Sequence, residues 1–193
     1  MTYLPDITKE ALNTLPICLF EGPIHVISSP EEADRIASRL SYEQYLGFDT
    51  ETKPSFTRGQ NHKVALLQLA TASEVYLFRL HQTGVTAGLA ALMANGSVTK
   101  IGVAVSQDIQ QLKRWRPFKE AAFLDLQDYV KSFGIHSNGL SKLSGIVLGY
   151  RISKSQQLSN WESAELSSAQ MRYAAIDAWV SFRIFDALSS SRN

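Results

Sequence analysis

The sequence has a single cysteine, Cys18, among 193 residues. That excludes an internal disulfide framework and a cysteine-rich zinc site. Proline is sparse, at 6 residues, and glycine stands at 11. Neither collagen-like nor low-complexity character follows from such numbers. No apolar run approaches the roughly 20 residues that span a bilayer. The first ten residues hold no basic stretch followed by an apolar one, so no signal peptide is expected. With the lone cysteine, this points to an intracellular, cytoplasmic setting and no membrane partner. Charge of neither sign dominates: 19 basic against 18 acidic residues give +1. Strong nucleic-acid binders are often more basic, but an acidic site beside a basic rim also sums to nearly nothing. No glycine-rich phosphate loop or dinucleotide fingerprint is present. His25, His62, His81 and His136 lack metal-ligand spacing.

What remains is an ordinary globular composition, 45% hydrophobic and 19% charged, long enough for one domain with a real core. Residues 1–23, punctuated by Pro5, Pro16 and Pro23, read as an arm. Leu4, Leu12, Leu15, Ile17, Leu19 and Phe20 are expected to strap it to a domain spanning 24–193. Cys18 reads as a buried apolar residue. Strands are expected at 24–27, 46–49, 64–69, 74–78, 99–103 and 122–126. The nearly continuous apolar run at 64–69 suits a strand buried on both faces. Its short link to 74–78 suggests an antiparallel pair. A helix should follow Ser29 as cap, with Pro30 in its first position and Glu32 completing a capping box. Further helices are expected at 85–94, 106–115, 127–133, 140–148 and 168–188. The sum is an α/β fold, a mixed sheet of about five strands flanked by helices.

Asp49-Thr50-Glu51 closes one of those strands. Side chains two apart in a strand point the same way, about 6.6–6.8 Å apart along it. Both carboxylates therefore leave one face, at the end where α/β sheets usually bind ligands. Two ionised acids so placed repel, and Mg²⁺ or Mn²⁺, which take oxygen ligands, relieve that. Asp108 follows a later strand at the start of a helix, where its charge also suits the helix dipole. Tyr173 and Asp177 sit four apart on the last helix and so share a face. An acid among the apolar neighbours of that helix is costly unless paired, hydrogen-bonded or bound to metal. Together, four acids on three elements can converge on two metal ions, the clamp known for in-line phosphoryl displacement.

The set Asp49/Glu51, Asp108 and Tyr173/Asp177 resembles the DEDDy class of 3′–5′ exonucleases within the ribonuclease H-like fold. The branch concerned includes the Werner syndrome helicase exonuclease domain and free-standing bacterial relatives. Lys63 to Leu69 resembles the family's second strand, Gly102-Val103 leading to Asp108 its second motif, and Leu158-Ser159-Asn160-Trp161 the approach to its third. The resemblance covers about residues 24–188. It implies that Asp49, Glu51 and Asp177 hold one divalent ion. Asp49 also reaches a second ion, with Asp108 acting directly or through water. Tyr173 then orients the attacking water. Two Mg²⁺ or Mn²⁺ ions are the implied cofactors, and nucleoside 5′-monophosphates the implied products. The expected substrate is nucleic acid with a free 3′ end, DNA in preference to RNA. A 3′–5′ exoribonuclease of the ribonuclease D kind is the alternative, and a non-catalytic nucleic-acid-binding module a more distant one. Arg58 and Lys154 are candidate phosphate contacts, and Phe56 a candidate base-stacking residue.

Overall fold

The computed structural model describes residues 2–55 and 62–191. Its sheet contains β1 (Ile24–Ile27), β2 (Tyr45–Thr52), β3 (Val64–Ala70), β4 (Val75–Arg79), β5 (Thr99–Gly102) and β6 (Phe123–Asp125). They lie in the order β1-β4-β3-β2-β5-β6. That is six strands rather than about five, since even the short run near 123 finds a partner in β5. The β3–β4 pair is antiparallel, as the short link suggested, with Leu67 opposite Phe78. β2 and β3 are also antiparallel. The other three pairings are parallel.

β3 is buried along its whole length because helices cover both faces of the sheet. On one face α7 (Leu140–Leu148) and α8 (Ser168–Ser190) pack over Leu66, Leu77 and Ile101. On the other, α2 (Pro30–Leu40), α4 (Ala87–Met93) and α5 (Val105–Lys113) pack over Leu67, Leu69 and Phe78. Such alternation along a strand is the period-two pattern of an element with two buried faces. No helix among the described residues is long and apolar enough to cross a membrane.

Local signals explain most element boundaries. Ser29 accepts a hydrogen bond from the Glu32 amide, and Pro30 opens α2. The expected reciprocal bond from Glu32 is replaced by its contact with Arg35 at 3.3 Å. A complete capping box occurs instead at α8, between Ser167 and Gln170, which fixes where that helix begins. The helix expected at 127–133 is one α turn, α6 (Leu126–Tyr129), then a 3₁₀ turn, Val130–Phe133. Gly134, at φ 75°, ends it. One turn, α3 (Leu80–Thr83), precedes α4.

The arm packs through part of the expected set, Leu12, Leu15 and Phe20, together with Cys18 and with Ile7, which was not in it. Ile7, Cys18 and Phe20 are buried, whereas Leu4, Ile17 and Leu19 are exposed. Its helix α1 (Lys9–Thr14) rests on α7 at Gly145. A β-carbon there would come within 2.6 Å of Leu12 and 3.2 Å of Leu15. Backbone bonds of 2.9 Å from Cys18 N–H to the Arg151 carbonyl, and from Arg151 N–H to the Pro16 carbonyl, complete the attachment.

Gly47 decides how α8 meets the sheet. A β-carbon at this position would lie 1.9 Å from the Ala178 carbonyl oxygen. Only glycine permits so close a crossing of β2 by α8. Gly47, Asp49 and Glu51 share one strand face, and Ala178 is the residue after Asp177. The contact therefore sets the Asp177 carboxylate over the paired acids of β2.

Candidate active site

The acids of β2 and α8 converge. Asp49, Glu51 and Asp177 each present a carboxylate oxygen, all within 4.8 Å of one another. Asp177 is only 7% exposed. Among the described residues none of the three forms a salt bridge with lysine or arginine. Burial pushes the Asp49 carboxyl well above its usual range, and the charges of Asp177, Asp108 and Glu51 push it further. Burial, then Asp177 and Asp108, raise Glu51 to about 8. Burial raises Asp177 to about 7 against a lowering hydrogen bond from Tyr173. Desolvation and like charge act together here, and an unneutralised site of this kind is expensive.

That expense fits a divalent cation. The donor set is all oxygen, as Mg²⁺ and Mn²⁺ prefer. Oxygens gathered within 4.8 Å of one another would draw together around one octahedral ion, whose ligands lie about 2.1 Å from it.

Tyr173 lies one turn before Asp177 on α8, with its hydroxyl close enough to the Asp177 carboxylate to hold that acid down. Burial and the charges of Asp177, Glu51 and Asp49 raise its pKa far beyond the usual tyrosine range. The hydroxyl thus stays protonated and acts as a donor. Trp161, fully buried, braces the ring with centroids 5.9 Å apart. The loop carrying Trp161 is tied down just after that residue. Arg79 donates to the carbonyls of Ala164 and Ser163. Lys53 pairs with Glu162 at 3.3 Å.

Asp108 is held apart from the trio. Its carboxylate accepts a 2.6 Å bond from the Thr50 hydroxyl, and burial raises it to about 6. Thr50 lies between Asp49 and Glu51 and so points to the opposite side of β2. Asp108 reaches the strand end from that side, near enough for its charge to act on both Asp49 and Glu51. The corner before α5 is unusual, since Ala104 adopts a left-handed conformation at φ 56°.

Asp49, Glu51, Tyr173, Asp177 and Lys154 line one cavity of about 340 Å³. Lys154, a candidate phosphate contact in the sequence, thus lines the same cavity as the acids. Phe56 and Arg58 lie outside the described residues. Two other basic residues, outside this cavity, have partners of their own: Lys113 pairs with Glu120, and Arg116 donates to the Val85 carbonyl at 2.9 Å.

One residue escaped the sequence reading. Gln68 is fully buried, sits opposite Asp49 in the β2–β3 register, and so shares its face. Neither polar atom of its side chain has a partner among the described residues. Its signal was available, as the one polar residue in the run Val64–Ala70.

Known proteins resemble this chain in sequence and fold. A family model described as 3′–5′ exonuclease matches residues 24–191. The bifunctional 3′–5′ exonuclease/ATP-dependent helicase WRN of Mus musculus is 32% identical over 190 residues, which cover 92% of this chain and 13% of that protein. Ribonuclease D of Acidiphilium cryptum is 32% identical over 163 residues, 82% of this chain and 40% of that one. The chain therefore spans less than half the length of either relative. The crystal structure of the Aedes aegypti Nibbler EXO domain superimposes with a TM-score of 0.77 at 29% identity, over 91% of both chains. A mixed sheet flanked by helices, an unneutralised acid cluster at its centre and these matches agree, and the chain belongs to the 3′–5′ exonuclease family.

Proposed function

We propose that this chain is a metal-dependent 3′–5′ exonuclease that shortens DNA from the 3′ end and releases nucleoside 5′-monophosphates. The observation that carries the reading is the trio Asp49, Glu51 and Asp177, half-buried on β2 and buried on α8, closely gathered and without a lysine or arginine partner among the described residues. Asp49, Glu51 and Asp177 would hold one Mg²⁺ or Mn²⁺, and Asp49 with Asp108 a second. When bound, such ions acidify water and neutralise charge on the leaving 3′ oxygen. Tyr173, fixed by Asp177 and Trp161, orients the attacking water toward the terminal phosphodiester. Thr50 orients Asp108 through its 2.6 Å bond. Lys154, on the cavity wall, neutralises a phosphate of the bound strand.

RNA is the second reading, favoured by the match to ribonuclease D over 82% of this chain. Discrimination rests on how the site meets the 2′-hydroxyl. The test is a time course on 5′-labelled single-stranded DNA and RNA of the same sequence with Mg²⁺ or Mn²⁺. A one-nucleotide ladder that forms faster on DNA supports the proposal. A faster ladder on RNA replaces it with the exoribonuclease reading. Intact strands of both kinds, from folded protein, overturn both.

A further inference from the structure

The active-site cavity does not end at Lys154. Ser141, Ser153 and Lys154, with the backbone at Gly139 and Ile152, also line a second and larger hollow of about 1070 Å³. Its far wall is the N-terminal arm, through Asp6, Lys9 and Asn13. Its charged lining consists of Lys9, Lys142, Arg151, Lys154 and the single carboxylate Asp6. Four cations against one anion stand here in a chain whose total charge is only +1. The acidic trio lies at one end of this continuous depression and the cations at the other.

The basic wall is built rather than loose. Asp6 bonds Lys142 at 2.9 Å and accepts from the Ser137 hydroxyl and the Ile7 amide. Arg151 Nε donates to the Leu15 carbonyl at 3.0 Å, and its backbone joins the arm at Pro16 and Cys18. Lys9 and Asn13 are exposed and four residues apart on α1, so they share one face of that helix. Lys9 and Lys154 form no ion pair among the described residues. The arm before residue 24 lies outside the family match at 24–191, while Lys142, Arg151 and Lys154 lie within it.

We propose that this groove carries the single strand upstream of its 3′ terminus, with the arm as a phosphate-binding wall. The inference rests on the exonuclease reading, in which the 3′ end occupies the cavity of Asp49, Glu51 and Asp177. Lys154 takes the phosphate nearest that end. Arg151, Lys142 and Lys9 take those that follow. The groove tracks a backbone and not bases, so it binds single strands irrespective of sequence. The arm therefore sets substrate length preference: a dinucleotide fills the active site alone, while longer strands gain the arm.

The test uses the full chain with Lys9→Ala/Asn13→Ala, and Lys9→Arg as the conservative variant. On a single strand about 12 nucleotides long, the double variant should raise KM roughly three- to tenfold with kcat unchanged. Losing one phosphate contact should also reduce the slope of log affinity against log salt by about 0.7. Lys9→Arg should restore both, and dinucleotide hydrolysis should be the same in all three proteins. An unchanged KM and salt slope overturn the proposal. So does an equal loss on the dinucleotide, which would place the effect in the fold. Fluorescence anisotropy of the same strand in chelator reads the groove without hydrolysis. Weaker binding by the double variant supports the groove even where no protein digests nucleic acid, and equal binding overturns it even where all do.

Discussion

Glu51→Gln should destroy activity yet stabilise the metal-free protein. The Glu51 carboxyl is raised from 4.5 to about 8, first by burial and then by Asp177 and Asp108. A carboxyl raised on folding holds its proton more tightly in the folded state. Stability is then full below the unfolded value and falls as pH rises toward the folded one. The window here runs from about pH 4.5 to about pH 8. At about 1.4 kcal/mol per pH unit the cost of ionised Glu51 reaches about 4 kcal/mol at pH 8. Glu51 is half-buried, and water screening reduces this to about 2 kcal/mol. For a chain of this size that is roughly 4–8 °C in Tm. In chelator at pH 8, Glu51→Gln should therefore melt roughly 4–8 °C above the wild type, and the gap should close by pH 5. Saturating Mg²⁺ should return the wild type by a comparable amount, about 2.7 kcal/mol at a hundred times Kd, and the variant by less. Differential scanning fluorimetry across this pH range reads all of it. A variant no more stable at pH 8 in chelator, or one whose advantage persists unchanged at pH 5, refutes the reasoning.

Other outcomes follow from the same geometry. Tyr173→Phe should lower kcat about 100-fold or more with little change in strand affinity, as measured by single-turnover kinetics beside anisotropy. Lys154→Ala should raise KM several-fold with kcat held, because it meets phosphate and not the reacting atoms. Gly47→Ala forces a β-carbon against the Ala178 carbonyl. It should cost about 1–3 kcal/mol, visible in urea unfolding, and displace Asp177 enough to weaken Mn²⁺ binding in a calorimetric titration. Arg79→Met leaves the Ser163 and Ala164 carbonyls without their donor. It should cost about 1–3 kcal/mol and raise protease susceptibility of the loop carrying Trp161.

Much of this was legible before any coordinates, for physical reasons. Asp49 and Glu51 had to share a face because a strand alternates, and Tyr173 and Asp177 had to share one because a helix turns every 3.6 residues. The place of Asp177 over the strand was not legible. It depends on Gly47 and Ala178, 131 positions apart, touching backbone to backbone. Asp108 resembled a fourth member of one cluster, yet Thr50, one residue out of phase with the acids, draws it to the other side of β2. Periodicity within an element says nothing about which face a distant element approaches. The arm misled in the same way. It has no repeating pattern from which to tell a packed residue from an exposed one, so Ile7 was passed over and Leu4 and Leu19 were included. Gln68 stood in plain view, but its importance lies in being opposite Asp49, and register is invisible in one strand alone.

The most direct measurement is the release of label from DNA whose 3′-terminal nucleotide carries a labelled 5′ phosphate, in wild type and Asp49→Ala, with Mn²⁺ or with chelator. If the trio of Asp49, Glu51 and Asp177 works as a metal-dependent exonuclease centre, wild type with Mn²⁺ releases labelled nucleoside 5′-monophosphate as its first product. Chelator or Asp49→Ala abolishes that release. Label freed as inorganic phosphate, release that survives both chelator and Asp49→Ala, or no release from folded wild type with metal would contradict the account.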